Sequence, residues 1–180
     1  PIHIAYVGRL VPEKGVDLLL AALRQVQGAW RATILGSGPA EASLREQAEA
    51  LKLDKRTAFE DWKPSTQMPG FYRTVDILVV PSRTRPNWIE QFGRVLIEAM
   101  ASEVVVVGSA AGEIPHVIGD AGLLFPEENV DALASKLNML VDDVELRREL
   151  AGEGRNRVKR HFTQRQVAKA TLAIYREILT

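Results

Sequence analysis

"VDILVVPSRTRPNWIEQFGRVLIEAMAS" (residues 75–102) carries the pattern on which the fold turns. Its first part, "VDILVVPS" (75–82), holds the continuous apolar run Ile77–Val80, stopped by Pro81. Such a run predicts a strand covered on both faces rather than one that alternates between core and water. Its last part, "GRVLIEAMAS" (93–102), spaces Val95, Leu96, Ala99 and Met100 as the buried stripe of a helix. A strand followed by a helix is the repeating unit of a parallel sheet.

The same alternation extends in both directions. Upstream, strands are predicted at "IHIAYVG" (2–8), "ATILGSG" (32–38) and "TAFEDW" (57–62). Helices are predicted at "GVDLLLAALRQV" (15–26) and "AEASLREQAEALKL" (40–53), and a short, weak helix or turn at "TQMPGFYRT" (66–74). Downstream, "VVVVGS" (104–109) and "AGLLF" (121–125) read as strands, and three helices near 129–142, 144–160 and 163–179 close the chain. The expected class is α/β: a Rossmann-like, doubly wound parallel sheet of about six strands with helices on both faces.

Composition narrows the function classes. The 180 residues suffice for one domain with a real core, and 46% hydrophobic with 26% charged residues is ordinary for a soluble globular protein. Lys plus Arg and Asp plus Glu both number 23, which argues against a whole-domain field for capturing nucleic acid. There is no cysteine, so neither disulfides nor a thiolate metal site can form. His3, His116 and His161 make no zinc-binding spacing. No apolar run approaches the roughly 18–20 residues of a membrane span, and no signal peptide is visible. A cytoplasmic location is the default expectation. The chain begins at Pro1 and enters a strand almost at once, from which either a piece of a longer chain or a processed product is expected.

In doubly wound sheets ligands bind beyond the carboxyl ends of the strands, so candidate residues are sought there. After the first strand, Gly8 permits a turn, and Arg9 and Lys14 flank a helix start, where two cations suit a phosphate. Solvated surface cations are the competing reading. After the second strand, "GSGPAE" (36–41) carries Gly36 and Gly38 of a G-x-G-x-x-G pattern but has Glu41 at its third glycine. This weakens an NAD-binding reading and leaves a glycine turn facing part of a nucleotide, or a plain tight turn. Glu60, Asp61 and Trp62 end the third strand and could line a base pocket, or be solvated. Arg83 and Arg85, in the long connection after the fourth strand, either face an acceptor or are merely exposed, and exposure is the favoured reading.

Glu90 and Glu98 are eight positions apart. On one helix they would lie about 12 Å apart along the axis and about 80° apart around it, too far for an acid–base dyad. With the helix starting near Phe92 or Gly93, Glu90 stands in the loop before it and Glu98 two turns inside. The pair then suits two ends of one extended ligand, with free amides near Gly93 available to a phosphate between them. A helix with a solvated glutamate is the alternative.

The ordered set "VGRLVPEKGVDLLLAAL", "ILGSGP", "DILVVPS", "EQFGRVLIEAMA" and "VVVVGSAAGEIPHVIGDAGLLFP" resembles the C-terminal half of a retaining GT-B glycosyltransferase of group one. The resemblance covers roughly residues 3 to 140 and is most specific at Glu90-x7-Glu98 with Phe92-Gly93 between. It implies a nucleoside-diphosphate sugar as donor substrate, with no tightly bound cofactor and no metal ion; no Asp-x-Asp motif occurs here. By resemblance, Arg9 and Lys14 bind the donor diphosphate, Gly36 and Gly38 face the nucleotide, and Glu90 contacts the transferred sugar. Glu98 contacts the ribose, and the backbone around Phe92, Gly93 and Arg94 surrounds the diphosphate. The sequence departs from the family pattern in three places. Glu103 and Val105 stand where the family often has glycine and proline, Ala111-Gly112 replaces a double glycine, and His116 stands where an acidic residue is common. The last two bear on the sugar-side loop and hence on donor identity.

The resemblance further implies an acceptor domain that precedes this one, is absent from this chain and supplies part of the active site. An isolated chain that binds donor weakly without turnover is the consequent expectation, and membrane association, if any, would run through the missing domain. The final helix (163–179) is expected to leave apolar surface facing that domain. A non-catalytic nucleotide-binding module on the same fold is the competing function.

Overall fold

The computed structural model describes residues 1–178. Six strands form one parallel sheet: β1 (Ile2–Val7), β2 (Trp30–Leu35), β3 (Thr57–Glu60), β4 (Ile77–Val80), β5 (Val105–Ser109) and β6 (Leu123–Phe125). Their order is β3-β2-β1-β4-β5-β6, and every pairing is parallel. Successive strands are added outward from β1 to one edge, and β4 then returns to the other side of β1. This reversal parts the loops after β1 and β4 and opens a crevice between them.

The strands are apolar on both faces because both are covered. Ile4, Tyr6, Ile77, Val79, Val105 and Val107 point into one layer, where α1 (Val16–Leu23), α2 (Glu41–Ala50) and α6 (Val130–Asp142) pack. Ala5, Val7, Leu78, Val80 and Val106 point into the other, against α3 (Met68–Tyr72), α4 (Arg94–Ala101) and α5 (Ile114–Ile118). The alternation follows from the two-residue period of a strand. The long helix α7 (Val144–His161) serves both layers: Leu150 joins the first core, and Val158 lies against the second. Each large apolar side chain buried this way contributes on the order of 2 kcal/mol.

The expected elements are all present, with ends shifted by a few residues. β2 starts at Trp30, which is 3% exposed and donates its indole N–H to the Val26 carbonyl at 3.0 Å. Two short elements were not anticipated: a 3-10 turn at Pro12–Lys14 and the five-residue α5. Both have proline in the first turn, where its missing N–H costs nothing. Neither is long enough to show periodicity. The last helix, α8 (Gln164–Ile178), leaves Val167, Leu172, Ile174 and Tyr175 exposed, as expected for its apolar face. Among the described residues no helix is long and apolar enough to cross a membrane.

Candidate functional site

The crevice where the strand order reverses holds the candidate site. Its floor is built from the carboxyl ends of β1, β4 and β5. The Ser109 hydroxyl donates to the Ser82 carbonyl at 2.5 Å, and the Ser82 hydroxyl donates to Glu90 Oε2 at 3.1 Å. Both serines are essentially buried. Glu90 Oε2 also accepts from the Lys14 ammonium at 2.6 Å. A chain of polar contacts thus runs from the end of β5 to the loop after β1. Among the described residues, no protein donor is recorded on Glu90 Oε1.

Lys14 stands at the end of the 3-10 turn, just before Gly15 caps α1. Its ammonium also lies 4.6 Å from the centre of the Trp88 ring. Arg9 is exposed, and among the described residues its side chain has no ion pair or hydrogen bond. Arg9, Lys14, Trp88 and Glu90 border an open cleft of about 800 Å³. Beneath it, the buried Tyr6 hydroxyl donates to the Arg9 carbonyl at 2.7 Å. Burial first, and then the nearby charge of Glu90, raise the Tyr6 pKa, so the phenol stays protonated.

Arg83 corrects an expectation. It is 6% exposed, not a surface cation. Its guanidinium grips both oxygens of Asp17, at 2.7 and 2.6 Å, and donates to the Pro12 carbonyl at 2.8 Å. Its backbone N–H donates to the Glu13 carbonyl at 2.8 Å. The hydrogen bonds it donates to Asp17 raise its pKa further. Arg83 therefore ties the end of β4 to the turn that carries Lys14. No periodicity signals such a residue; only the packing of two loops reveals it. Arg85 is exposed, as expected, and pairs with Glu128 at 3.1 Å.

The glycine turn after β2 lies against the loop after β1. Gly36 has φ +145°, and a Cβ there would fall 1.8 Å from the Gly8 carbonyl oxygen. A Cβ on Gly38 would come 2.3 Å from the Leu10 carbonyl oxygen. The two loops are joined by Leu10 N–H donating to Ser37 and Ala40 N–H donating to Leu10. Close backbone approach thus accounts for both glycines within the protein itself. Glu60 ends β3 beside them, its carbonyl accepting from Gly36 N–H at 2.9 Å and its carboxylate paired with Lys63 at 2.8 Å.

Gly93, whose φ of +62° is left-handed, immediately precedes helix α4. No side chain caps this end, so amides of the first turn remain available to a ligand. Glu90 stands in the loop before it and Glu98 inside it, as the sequence predicts. Glu98 accepts from the Tyr72 hydroxyl at 3.1 Å, pairs with the exposed Arg94 at 3.4 Å, and borders a hollow of about 300 Å³ between α3 and α4. Phe92 is half exposed and packs edge-on against Phe162, with ring centres 6.2 Å apart.

The loop after β5 touches the site through backbone. Glu113 N–H donates to the Glu90 carbonyl at 3.0 Å, and Gly112, at φ +51°, leaves no room for a Cβ, which would meet the same carbonyl at 2.2 Å. His116 is exposed, and its carbonyl accepts from Arg157 at 2.6 Å. Glu103, standing where glycine is common, adopts φ +60° and pairs with Arg155. Among the described residues no group of three or more His, Asp or Glu could hold a metal ion.

Comparisons with known proteins bear on this geometry. The family model described as glycosyl transferases group 1 matches residues 1–157. The D-inositol 3-phosphate glycosyltransferase of Corynebacterium glutamicum (strain R) is 33% identical over 193 residues, covering 99% of this chain and 45% of that protein. The chain thus spans about half the length of the curated relatives it matches. Among solved structures, the C-terminal domain of a glycosyl transferase group 1 family protein (LpcC) from Francisella tularensis superposes with a TM-score of 0.80 at 29% identity. It covers 91% of this chain, and this chain covers 87% of it. Anabaena HepE, solved in complex with UDP-glucose, has a TM-score of 0.84 at 23% identity over 96% of this chain and 49% of that one, a likeness of fold.

Proposed function

The chain belongs to the group 1 glycosyl transferases, and from that premise we propose that it is the donor-binding domain of an enzyme that moves a sugar from a nucleoside diphosphate to an acceptor with retention of anomeric configuration. The observation that carries the reading is the Lys14–Glu90 contact at the strand-order reversal, beside the uncapped start of α4. One cation, one carboxylate and a set of free amides there match the three parts of a nucleotide sugar's head. The UDP-glucose bound by HepE, on the same fold, supports that ligand class.

In this reading the diphosphate lies between Arg9, Lys14 and the first amides of α4. As the glycosidic bond breaks, negative charge grows on the departing phosphate, and those groups stabilise it. Glu90 would hold sugar hydroxyls through Oε1, the oxygen without a protein donor, while the Ser82 hydroxyl keeps hold of Oε2. Glu98 takes the ribose end, exchanging Tyr72 or Arg94 for ribose hydroxyls. The turn of Gly36 and Gly38, with Glu60 beside it, faces the nucleoside. Attack from the face of the departing phosphate, with that phosphate accepting the acceptor's proton, gives retention without a covalent intermediate on Glu90. No metal ion is required by this scheme.

The acceptor and the rest of the active site belong to an N-terminal domain outside this chain. The chain alone then binds donor without turning it over. A cytoplasmic location goes with the reading, since the donor is a nucleotide sugar.

Calorimetry with UDP, GDP, ADP and NAD tests it. Binding of one diphosphate, weakened at least tenfold in both Arg9→Ala and Glu98→Ala, is expected. Exclusive binding of NAD would overturn the assignment. Turnover of the matching sugar nucleotide by the longer protein separates a transferase from a non-catalytic nucleotide-binding module.

A further inference from the structure

The connection after β4 carries an aromatic side chain that the reaction outlined above leaves unused. Residues 85 to 88 form a tight hairpin turn: Arg85 N–H donates to the Trp88 carbonyl at 2.8 Å, and Trp88 N–H returns the bond at 3.0 Å. The turn is pinned from outside. Glu127 accepts from both the Thr84 N–H and the Thr84 hydroxyl, at 2.6 and 2.8 Å, and Glu128 pairs with Arg85 at 3.1 Å. The anchored turn sets the Trp88 ring against the donor cleft, half-buried, with the Lys14 ammonium 4.6 Å from its centre.

We propose that Trp88 is a positioning residue that holds the Lys14 ammonium in the cleft for the β-phosphate of a nucleoside diphosphate. The inference rests on the reading of this cleft as the donor site. The reasoning is electrostatic. Without ligand, Lys14 lies between two attractors, the Glu90 carboxylate at 2.6 Å and the Trp88 ring. A carboxylate attracts the cation but repels an incoming diphosphate. An aromatic face attracts the cation through its quadrupole and carries no net charge, so it does not compete with the phosphate. When the diphosphate displaces Glu90 from Lys14, the ring alone restrains a flexible four-carbon side chain from swinging into solvent.

The test uses this chain, calorimetry, and two probes for each base: the nucleoside diphosphate and the corresponding monophosphate. In Trp88→Ala the diphosphate is expected to bind about three- to tenfold more weakly, in line with a partly desolvated cation–π contact. The monophosphate should change less than about twofold, because it lacks the group Lys14 holds. Trp88→Phe should recover most of the loss. Trp88→Leu, apolar but without a quadrupole, should not, and it keeps the test decisive should the alanine variant unfold. In a Lys14→Met background, Trp88→Ala should cost nothing further. Equal losses for both probes, no loss for either, or rescue by leucine would each overturn the inference while leaving the donor-site reading intact. Failure of the unaltered chain to bind any diphosphate would overturn both.

Discussion

Lys14 and Glu90, 76 positions apart in the chain, meet at 2.6 Å across the crevice between β1 and β4. Each belongs to a different loop, and the contact exists only because the strand order reverses between them. Lys14 is therefore already partnered, and on the proposed reading a diphosphate must compete with Glu90 for it.

That competition has a measurable sign. Glu90→Gln removes the charge that neutralises Lys14, and the pair, only partly shielded from water, is worth on the order of 1 kcal/mol. Affinity for the nucleoside diphosphate alone should rise by up to about fivefold. The extra affinity of the sugar nucleotide over the diphosphate should fall, since the amide binds sugar hydroxyls less strongly than a carboxylate. Calorimetry with both ligands on both proteins checks this, and weaker diphosphate binding in the variant would contradict it.

Arg83 should matter for stability more than its place in a loop suggests. Arg83→Met removes a buried guanidinium and leaves the Pro12 carbonyl and the Asp17 carboxylate without it. Because Asp17 is 44% exposed and can turn to water, the expected cost is about 2 kcal/mol rather than the full penalty of a broken buried pair. A urea midpoint series measures it. Diphosphate affinity should also fall, because the turn bearing Lys14 loses its tether. A variant as stable as the parent would contradict the role assigned to Arg83.

Two glycine substitutions should behave oppositely. Gly36→Ala would place a methyl 1.8 Å from a backbone oxygen that cannot move without shifting the loop after β1. We expect a loss of about 3 kcal/mol or more, or failure to fold. Gly70→Ala, in α3 with open space around it, should be neutral or stabilising by up to about 1 kcal/mol. Thermal unfolding of the pair is the measurement.

His3 predicts a pH effect remote from the crevice. It is 3% exposed; its Nδ1–H donates to the Thr74 carbonyl at 2.6 Å, and its Nε2 accepts from the Thr33 hydroxyl at 2.8 Å. Burial pushes the imidazole below its ordinary pKa of 6.5. The folded state therefore binds the proton less readily than the unfolded state. The contribution is fully present above pH 6.5 and is lost as pH falls from there through the lowered folded value. The stability difference between the parent and His3→Gln should shrink as pH is lowered from about 7 to 5. A difference that grows on acidification would show the sign to be wrong.

Much of this was legible from residue order alone, and the reasons are specific. The continuous apolar runs at 77–80 and 104–107 can be buried only in a sheet covered on both sides, and Gly93 ahead of "RVLIEAMA" marks a helix start. The residues beyond the strand ends follow from that arrangement, which is why Lys14 and Glu90 could be named before their contact was seen. What escaped were features without a period. Arg83 reads as one more loop cation, and Trp88 as one more loop aromatic. The five-residue α5 is too short to show a helical stripe.

The sequence by itself determined the α/β class, the alternation of elements, the family and the two glutamates that flank the start of α4. These depend on local spacing and on the order of short motifs, which survive without coordinates. Only the tertiary structure decided what each polar group holds. Glu90 was placed on Lys14 and Ser82, Glu98 on Tyr72 and Arg94, and Arg83 inside the protein on Asp17. The physical reason is that hydrogen bonds and ion pairs act over a few ångströms, and which groups come within that distance is set by the packing of loops far apart in the chain.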